Sequence, residues 1–212
     1  MKLENERKSI VAYGKKMLTA GLTRGTGGNL SIFNRKQELI AISPSGLDYY
    51  KTKAMDVTVV DMDGVLSDGK RPPSTEMPMH LSLYAARKDI HALVHTHSVY
   101  ATTLSCLRIG LPPLHYTIGF AGPEVLCAPY ATYGTRELAR TAVRYMKGSK
   151  AVLLANHGLL AAGSTLQEAF SIAEMVEFCA ELYCRSLSIG KPKLLTHKEM
   201  LCVCTKLKSY GK

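Results

Sequence analysis

The chain has 212 residues, of which 46% are hydrophobic, which is enough to bury one core, so we expect a single domain over residues 1–212. It has no apolar run of about 18 residues, which excludes a membrane-spanning helix. Its charged N-terminus lacks the apolar core of a signal peptide, so we predict a cytoplasmic protein. The formal net charge is +10, but the basic residues form no dense cluster, which favours a solvated surface or attraction of a small anion over nucleic-acid binding.

The N-terminal part of the chain is predicted to form one helix and then several strands. Apolar spacing predicts a helix over residues 5–20, which a glycine-rich loop at 24–29 follows. Strands are predicted at 30–33, 39–43 and 57–61, separated by turn residues.

The middle of the chain is predicted to contain two helices around one strong strand. A helix begins near residue 76 and ends near 87, and alternating apolar residues predict a strand over 91–97. A second helical pattern covers 98–107. Residues 108–133 are rich in Pro, Gly and Tyr, so we expect irregular structure there with a short strand near 125–128.

The C-terminal part is predicted to be mainly helical. A helix over 135–147 precedes short strands at 151–155 and 159–162. Capping boxes at Thr165-x-x-Glu168 and Thr196-x-x-Glu199 open two further helices, of which the first ends near residue 189. A flexible tail is expected near 205–212. Mixed strands and helices of this kind indicate a three-layer α/β/α domain.

Three histidines are the strongest functional signal. His95 and His97 are two apart on a predicted strand, so both side chains leave the same face. His157 follows another apolar strand, in Asn156-His157-Gly158. Three imidazoles and an open position suit Zn²⁺ or a related ion. Unrelated histidines, in a core or on a surface, are an equal alternative on spacing alone, and a metal site built from the six scattered cysteines is a weaker one.

Small and hydroxylic residues at predicted turns and at a probable helix N-terminus indicate an anion site. Each pair, taken by itself, is also typical of an ordinary turn or helix cap. Together they offer exposed backbone N–H groups, an amide and hydroxyls, partly at a helix N-terminus where anions are favoured. The residues are Gly28, Asn29, Ser45, Gly46, Ser74 and Thr75.

Glu76 directly follows this predicted cap. A glutamate in the first turn of a helix is normally a partner of the helix dipole. Beside a three-histidine metal and an anion site it could instead be a fourth ligand or a general base.

The chain resembles the class II, metal-dependent sugar-phosphate aldolases of the superfamily that includes fuculose-1-phosphate aldolase and ribulose-5-phosphate 4-epimerase. The resemblance covers nearly the whole chain. It rests on residues 25–31 (Gly-Thr-Gly-Gly-Asn-Leu-Ser), 42–46 (Ile-Ser-Pro-Ser-Gly), 73–76 (Pro-Ser-Thr-Glu), 95–97 (His-Thr-His), 130–137 (Tyr-Ala-Thr-Tyr-Gly-Thr-Arg-Glu) and 156–158 (Asn-His-Gly).

The resemblance implies a role for each matching residue. His95, His97 and His157 would bind one Zn²⁺ per subunit, or Mn²⁺ or Co²⁺, and Glu76 would alternate between metal ligand and base. The anion-site residues would hold the substrate phosphate. Tyr116 would be a proton donor supplied by a neighbouring subunit, with Tyr133 and Tyr210 lining the aldehyde side. The family also implies a mixed, largely antiparallel sheet and a homotetramer whose active sites lie between subunits.

The resemblance is closest to the branch that cleaves L-fuculose 1-phosphate to dihydroxyacetone phosphate and L-lactaldehyde, a lyase reaction of fucose degradation. The epimerase branch has Asp in place of Glu76 and an acidic residue where this chain offers only Glu124, out of register. A methylthioribulose-1-phosphate dehydratase and a 5-deoxyribulose-1-phosphate aldolase remain alternatives. A related cytoskeletal domain lacks the metal histidines, so the intact set favours an enzyme.

Overall fold

The computed structural model describes residues 1–207, 209 and 210, and its central feature is one eight-stranded sheet. The strands, numbered β1–β8 in chain order, span Asn29–Asn34, Leu39–Ile42, Thr58–Val60, Leu66–Asp68, Ala92–Thr96, Cys127–Ala128, Ala151–Leu154 and Gly158–Gly163. The helices, numbered α1–α6, span Glu4–Thr19, Met77–Ala86, Val99–Cys106, Arg136–Tyr145, Leu166–Ile189 and His197–Leu207.

The sheet is mixed and largely antiparallel, with the strand order β4-β3-β2-β1-β5-β8-β7-β6. Within the described residues only β6 and β7 pair in parallel. In the register of β1 and β5, Asn29 lies opposite His95. Along β5 and β8, Thr96 lies opposite Leu159. The expected sheet type is therefore confirmed.

Helices cover both faces of the sheet, and each face has its own core. The first core joins α1, α3 and α5 to the sheet through residues such as Ile10, Val94 and Val176. The second joins α2 and α4 to the opposite face, with Leu83 and Leu93 among its members. Because successive side chains of a strand point to opposite faces, Leu93 and Val94 enter different cores. The three-layer α/β/α prediction is confirmed.

Most predicted elements are present, and the differences have simple causes. Strand β4 was not predicted, because Leu66 is 56% exposed and this three-residue edge strand carries no alternating apolar pattern. The region predicted to be irregular contains a short 3₁₀ helix, Tyr116–Phe120. The box at Thr196 forms as predicted, because the Thr196 backbone N–H donates to the Glu199 carboxylate and the Thr196 hydroxyl oxygen accepts from the Glu199 backbone N–H.

The C-terminal end is only partly described. Residues up to Leu207 continue α6. The predicted flexible tail includes Lys208, Gly211 and Lys212, which lie outside the described residues, so that expectation stays a prediction. Among the helices that the structure does describe, none is long and apolar enough to cross a membrane.

Candidate metal centre

Strand β5 places two of the three histidines. Leu93 of this strand points into the α2/α4 core, so His95, two residues later, leaves the same face. His95 is completely buried. His97 follows the last residue of the strand, and its backbone is fixed by a hydrogen bond from its N–H to Leu22 O at 3.1 Å. Both rings therefore lie on the side of the sheet where α2 begins.

The third histidine comes from the turn between β7 and β8. Asn156 has a φ of 54° there, a left-handed conformation that Asn tolerates better than most residues. Gly158 begins β8 so close to β5 that a Cβ atom would overlap Thr96 O. This close approach brings His157 beside the rings of β5.

Glu76 completes the cluster from the N-terminus of α2. Its Oε2 lies 3.0 Å from His95 Nε2, and its Oε1 lies 3.3 Å from His157 Nε2. His95 Nε2 is 2.9 Å from His97 Nε2 and 3.2 Å from His157 Nε2. The four ligand atoms all lie within 4.8 Å of one another.

The electrostatics of the cluster leave His97 and His157 neutral at pH 7, so each keeps a lone pair for a cation. Burial raises the pKa of Glu76, but the charges of His95 and His157 and the hydrogen bonds from His95 and Asn29 outweigh it and hold that pKa below its usual range. Burial and the neighbouring imidazoles lower the pKa of His97 to about 3, and burial with His95 lowers that of His157 to about 4. For His95, burial lowers the pKa, but Glu76 raises it and prevails.

The donor set fits a small divalent cation. His95 Nδ1 lies 2.9 Å from Leu159 O, so in the neutral ring that a bound cation requires, Nδ1 carries the proton and the Nε2 lone pair points into the cluster. Ligands about 2.0 Å from a tetrahedral zinc ion would lie roughly 3.3 Å apart, close to the separations of His95 Nε2 from its three neighbours and of Glu76 Oε1 from His157 Nε2. In the described part of the chain, Glu76 Oε1 is buried without a hydrogen-bond partner, as a ligand atom would be.

The centre lies at a cavity of about 360 Å³. The residues predicted to bind an anion all line it, together with Glu76, His97, His157 and Tyr133. His95 lies buried behind this lining. No Lys or Arg is among the described lining residues, so the basic residues behind the net charge of +10 do not contribute a positive side chain to the lining of the cavity. A bound anion would depend on neutral donors, the N-terminus of α2 and a cation.

The anion-site residues come from three neighbouring segments. Gly28 has a φ of 69° and approaches His95 O so closely that a Cβ atom would clash with it. Ser45 and Gly46 are exposed in the loop after β2. Ser74 Oγ accepts a hydrogen bond from Glu76 N at 3.2 Å, so Ser74 also fixes the start of α2.

Two predicted residues lie elsewhere on the chain. Tyr116 and Tyr210 line a separate groove beside Phe120. Tyr116 is 53% exposed. Within one chain the structure therefore does not bring these tyrosines to the metal centre.

Thr26, Tyr130 and Asn156 also line the cavity and were not singled out as site residues from the sequence. All three lie inside or beside the motifs that carry the family resemblance. A second omission is His80, which is completely buried behind the site. Its only sequence signal is a spacing of four residues from Glu76, which places both on one side of a helix.

This fold and this ligand set define a known class of proteins. Residues 8–184 match the family described as the class II aldolase and adducin N-terminal domain. The chain belongs to this family.

Individual members of the family resemble the chain along almost all of its length. A 5-deoxy-D-ribulose 1-phosphate aldolase of Bacillus thuringiensis serovar kurstaki is 55% identical over 211 residues, which cover 100% of this chain and 99% of that protein. A 5-methylthioribulose-1-phosphate/5-deoxyribulose-1-phosphate aldolase of Rhodospirillum rubrum is 40% identical, covering 97% and 92%. A solved L-fuculose 1-phosphate aldolase has 48% identity and a TM-score of 0.95, with 96% of each chain covered.

Proposed function

We propose that the chain is a metal-dependent aldolase that cleaves the C3–C4 bond of a deoxyketose 1-phosphate. The observation that carries the proposal is the position of Glu76. Its carboxylate belongs to a three-histidine ligand set and faces a cavity lined by neutral anion donors, and one of its oxygens has no hydrogen-bond partner among the described residues. Such a group can exchange between holding a cation and accepting a proton.

We propose 5-deoxy-D-ribulose 1-phosphate as the principal substrate, which would yield dihydroxyacetone phosphate and acetaldehyde. The sequence alone led us to expect L-fuculose 1-phosphate, but the 55% identity to the 5-deoxyribulose enzyme favours the alternative over the 48% identity to the fuculose enzyme. Both sugars share C1 to C3 and the phosphate. They differ only beyond C4, so the choice concerns the aldehyde side of the site.

We propose Zn²⁺ as the metal, held by His95, His97, His157 and, at rest, Glu76. Three neutral imidazoles and one carboxylate suit Zn²⁺, although Mn²⁺ and Co²⁺ accept the same ligands. When bound, the cation would act as a Lewis acid that lowers the cost of negative charge developing on the C2 oxygen.

The residues of the chain then account for the proton transfers. In the direction of synthesis, Glu76 removes a proton from C3 of dihydroxyacetone phosphate. The C3 electron pair attacks the aldehyde carbon, and the new C4 oxygen takes a proton from Tyr116. In cleavage the C4 hydroxyl loses its proton to the phenolate of Tyr116, the C3–C4 bond breaks, and Glu76 returns a proton to C3.

The anion-site residues would hold the phosphate and orient the ketose. Gly46, Ser45 and Thr75 are exposed at the cavity and offer donors to the phosphate oxygens. Because the phosphate does not react, its binding energy serves to align C3 with the carboxylate of Glu76.

We propose that a neighbouring subunit completes the site in a homotetramer. Tyr116 and Tyr210 lie together in a groove outside the metal cavity of their own chain, which is compatible with their serving the cavity of the next subunit. Tyr133, which lines the cavity of its own chain, would contact the aldehyde from the other side.

Tyr116→Phe is expected to lower kcat by on the order of 10²-fold, because the C4 oxygen would lose its proton donor. Steady-state kinetics of aldehyde addition would measure the effect. Tyr50→Phe is the matched control, since Tyr50 is also an exposed tyrosine but lies outside the cavity lining. Unchanged turnover of Tyr116→Phe would remove Tyr116 from the mechanism.

Mixed assemblies would test whether Glu76 and Tyr116 of one site come from different subunits. Co-expressing tagged Glu76→Gln and Tyr116→Phe chains should restore roughly a quarter of wild-type activity to hybrids, because a random cyclic assembly contains about that share of intact sites. If both residues of a site came from one chain, every site would carry one defect and the hybrids would stay inactive.

A substrate panel tests the proposed reaction. Release of dihydroxyacetone phosphate should be fastest from 5-deoxyribulose 1-phosphate, with fuculose 1-phosphate and rhamnulose 1-phosphate slower. Ribulose 5-phosphate epimerisation and methylthioribulose-1-phosphate dehydration should remain at background. Preference for fuculose 1-phosphate would reverse the choice of sugar, and dehydration without dihydroxyacetone phosphate release would exclude the aldolase proposal.

A further inference from the structure

A line of buried polar side chains runs behind Glu76, away from the cavity. Glu76, His80 and Tyr84 are four residues apart, so they form one row on the side of α2 that faces the sheet. Asn29 and Ser31 of β1 are two apart and face this row. The exposed fraction of these residues ranges from 0% for His80 to 6% for Glu76.

The five side chains form one continuous chain of hydrogen bonds. Asn29 Nδ2 donates to Glu76 Oε2 at 2.9 Å. Asn29 Oδ1 lies 2.6 Å from His80 Nε2. Ser31 Oγ lies 2.6 Å from His80 Nδ1 and 2.6 Å from the Tyr84 hydroxyl.

The carboxylate at one end fixes the direction of every bond. An ionised carboxylate only accepts, so Asn29 must present its NH₂ group to Glu76 and its carbonyl oxygen to His80. His80 must then be the neutral tautomer with the proton on Nε2, which leaves Nδ1 as an acceptor. Ser31 therefore donates to Nδ1, and Tyr84 donates to Ser31. All four bonds point toward Glu76.

The surroundings of His80 support this assignment. Burial lowers the pKa of its imidazole to about 3, so the ring is neutral at pH 7 and one of its nitrogens is an acceptor. If the Asn29 amide turned over, its carbonyl oxygen would face the Glu76 carboxylate and its NH₂ group would face the Nε2 proton of His80. Both arrangements are repulsive, and the low dielectric of a buried site increases their cost.

We propose that His80, held in its Nε2–H tautomer by Ser31 and Tyr84, is a positioning residue that locks the Asn29 amide onto Oε2 of Glu76. The inference rests on the proposed role of Glu76 as the base. With Oε2 held by Asn29, Oε1 is the carboxylate oxygen without a hydrogen-bond partner in the described structure. Oε1 is thus the oxygen that accepts the C3 proton.

Three substitutions test the chain of hydrogen bonds without altering a metal ligand or Asn29. Ser31→Ala removes the donor that selects the His80 tautomer, and kcat should fall about 10-fold while KM stays within about twofold. His80→Leu removes donation to Asn29 altogether, so the loss of kcat should exceed that of Ser31→Ala. His80→Gln places an amide N–H near the position of Nε2 and should recover most of the loss.

Measurements that need no substrate separate positioning from general damage. Metal content after dialysis should equal that of the wild type in all three variants, because the imidazole ligands are unchanged. Ser149→Ala is the matched control for Ser31→Ala, since Ser149 is also a buried serine whose hydroxyl makes hydrogen bonds. It should lower the unfolding temperature but leave kcat unchanged.

Ring ¹⁵N spectra of histidine-labelled protein directly test the direction of donation along the chain of hydrogen bonds. The wild type should show neutral His80 with its proton on Nε2, and Ser31→Ala should show a larger share of the Nδ1–H tautomer. A wild-type Nδ1–H tautomer would overturn the proposal, and so would equal losses in His80→Gln and His80→Leu when both retain fold and metal. If the wild type showed the expected tautomer but no aldolase activity, the proposed function and the positioning role that depends on it would be rejected. The assigned direction of the hydrogen bonds would still stand.

Discussion

Replacing Glu76 by glutamine is expected to lower kcat by about 10³-fold, within the range that a positioned general base contributes. Glutamine has nearly the same shape and can still accept the Asn29 hydrogen bond, but it cannot take up the C3 proton. The three imidazoles that remain should keep the metal. Steady-state kinetics and exchange of the C3 hydrogen of dihydroxyacetone phosphate in D₂O should show the same loss.

Two further measurements distinguish a base from a structural residue. Glu181→Gln removes a carboxylate that pairs with Arg185 on α5, away from the cavity, and should leave both rates unchanged. If Glu76→Gln instead lost its metal and its folded structure together, Glu76 would be structural, and the assignment of the base would be wrong.

Removal of the metal is expected to reduce activity by more than about 10³-fold, because the negative charge developing on the C2 oxygen would lose its Lewis acid and Glu76 alone cannot replace it. About one equivalent of Zn²⁺, Mn²⁺ or Co²⁺ per subunit should restore activity. Chelator treatment followed by titration with each ion would also identify the ion that restores the highest rate.

The chelated protein should remain folded, because the two hydrophobic cores do not depend on the metal. Adding metal should raise the unfolding temperature, since only the folded chain assembles the four ligands. Chelator already saturated with Zn²⁺ is the control and should have no effect. Full activity in excess free chelator would reject a catalytic metal.

The histidines illustrate how far sequence reasoning reaches. Side chains that are two positions apart on a strand lie on the same face, so the sequence alone could place His95 and His97 side by side. His157 could be placed at the end of a strand but not beside the other two. Its position depends on the antiparallel pairing of β5 with β8, which joins segments about sixty residues apart.

The edge of the sheet shows the opposite case. Strand β4 is short and none of its three residues is buried, so its sequence carries no periodic signal, and only its pairing with β3 defines it. Tyr116 is similar on the functional side, because its predicted role depends on a neighbouring subunit that no local pattern describes.

The sequence by itself determined most of the elements, the layer architecture, the ligand types and the family, because periodicity, caps and short motifs are local properties of the chain. The tertiary structure decided which groups meet. It placed the start of α2 against the end of β5, so that Glu76 joins the histidines. It also set α2 over β1, so that His80 reaches Asn29 and Ser31. These contacts follow from strand order and from packing across the sheet, which no spacing within a single segment can specify.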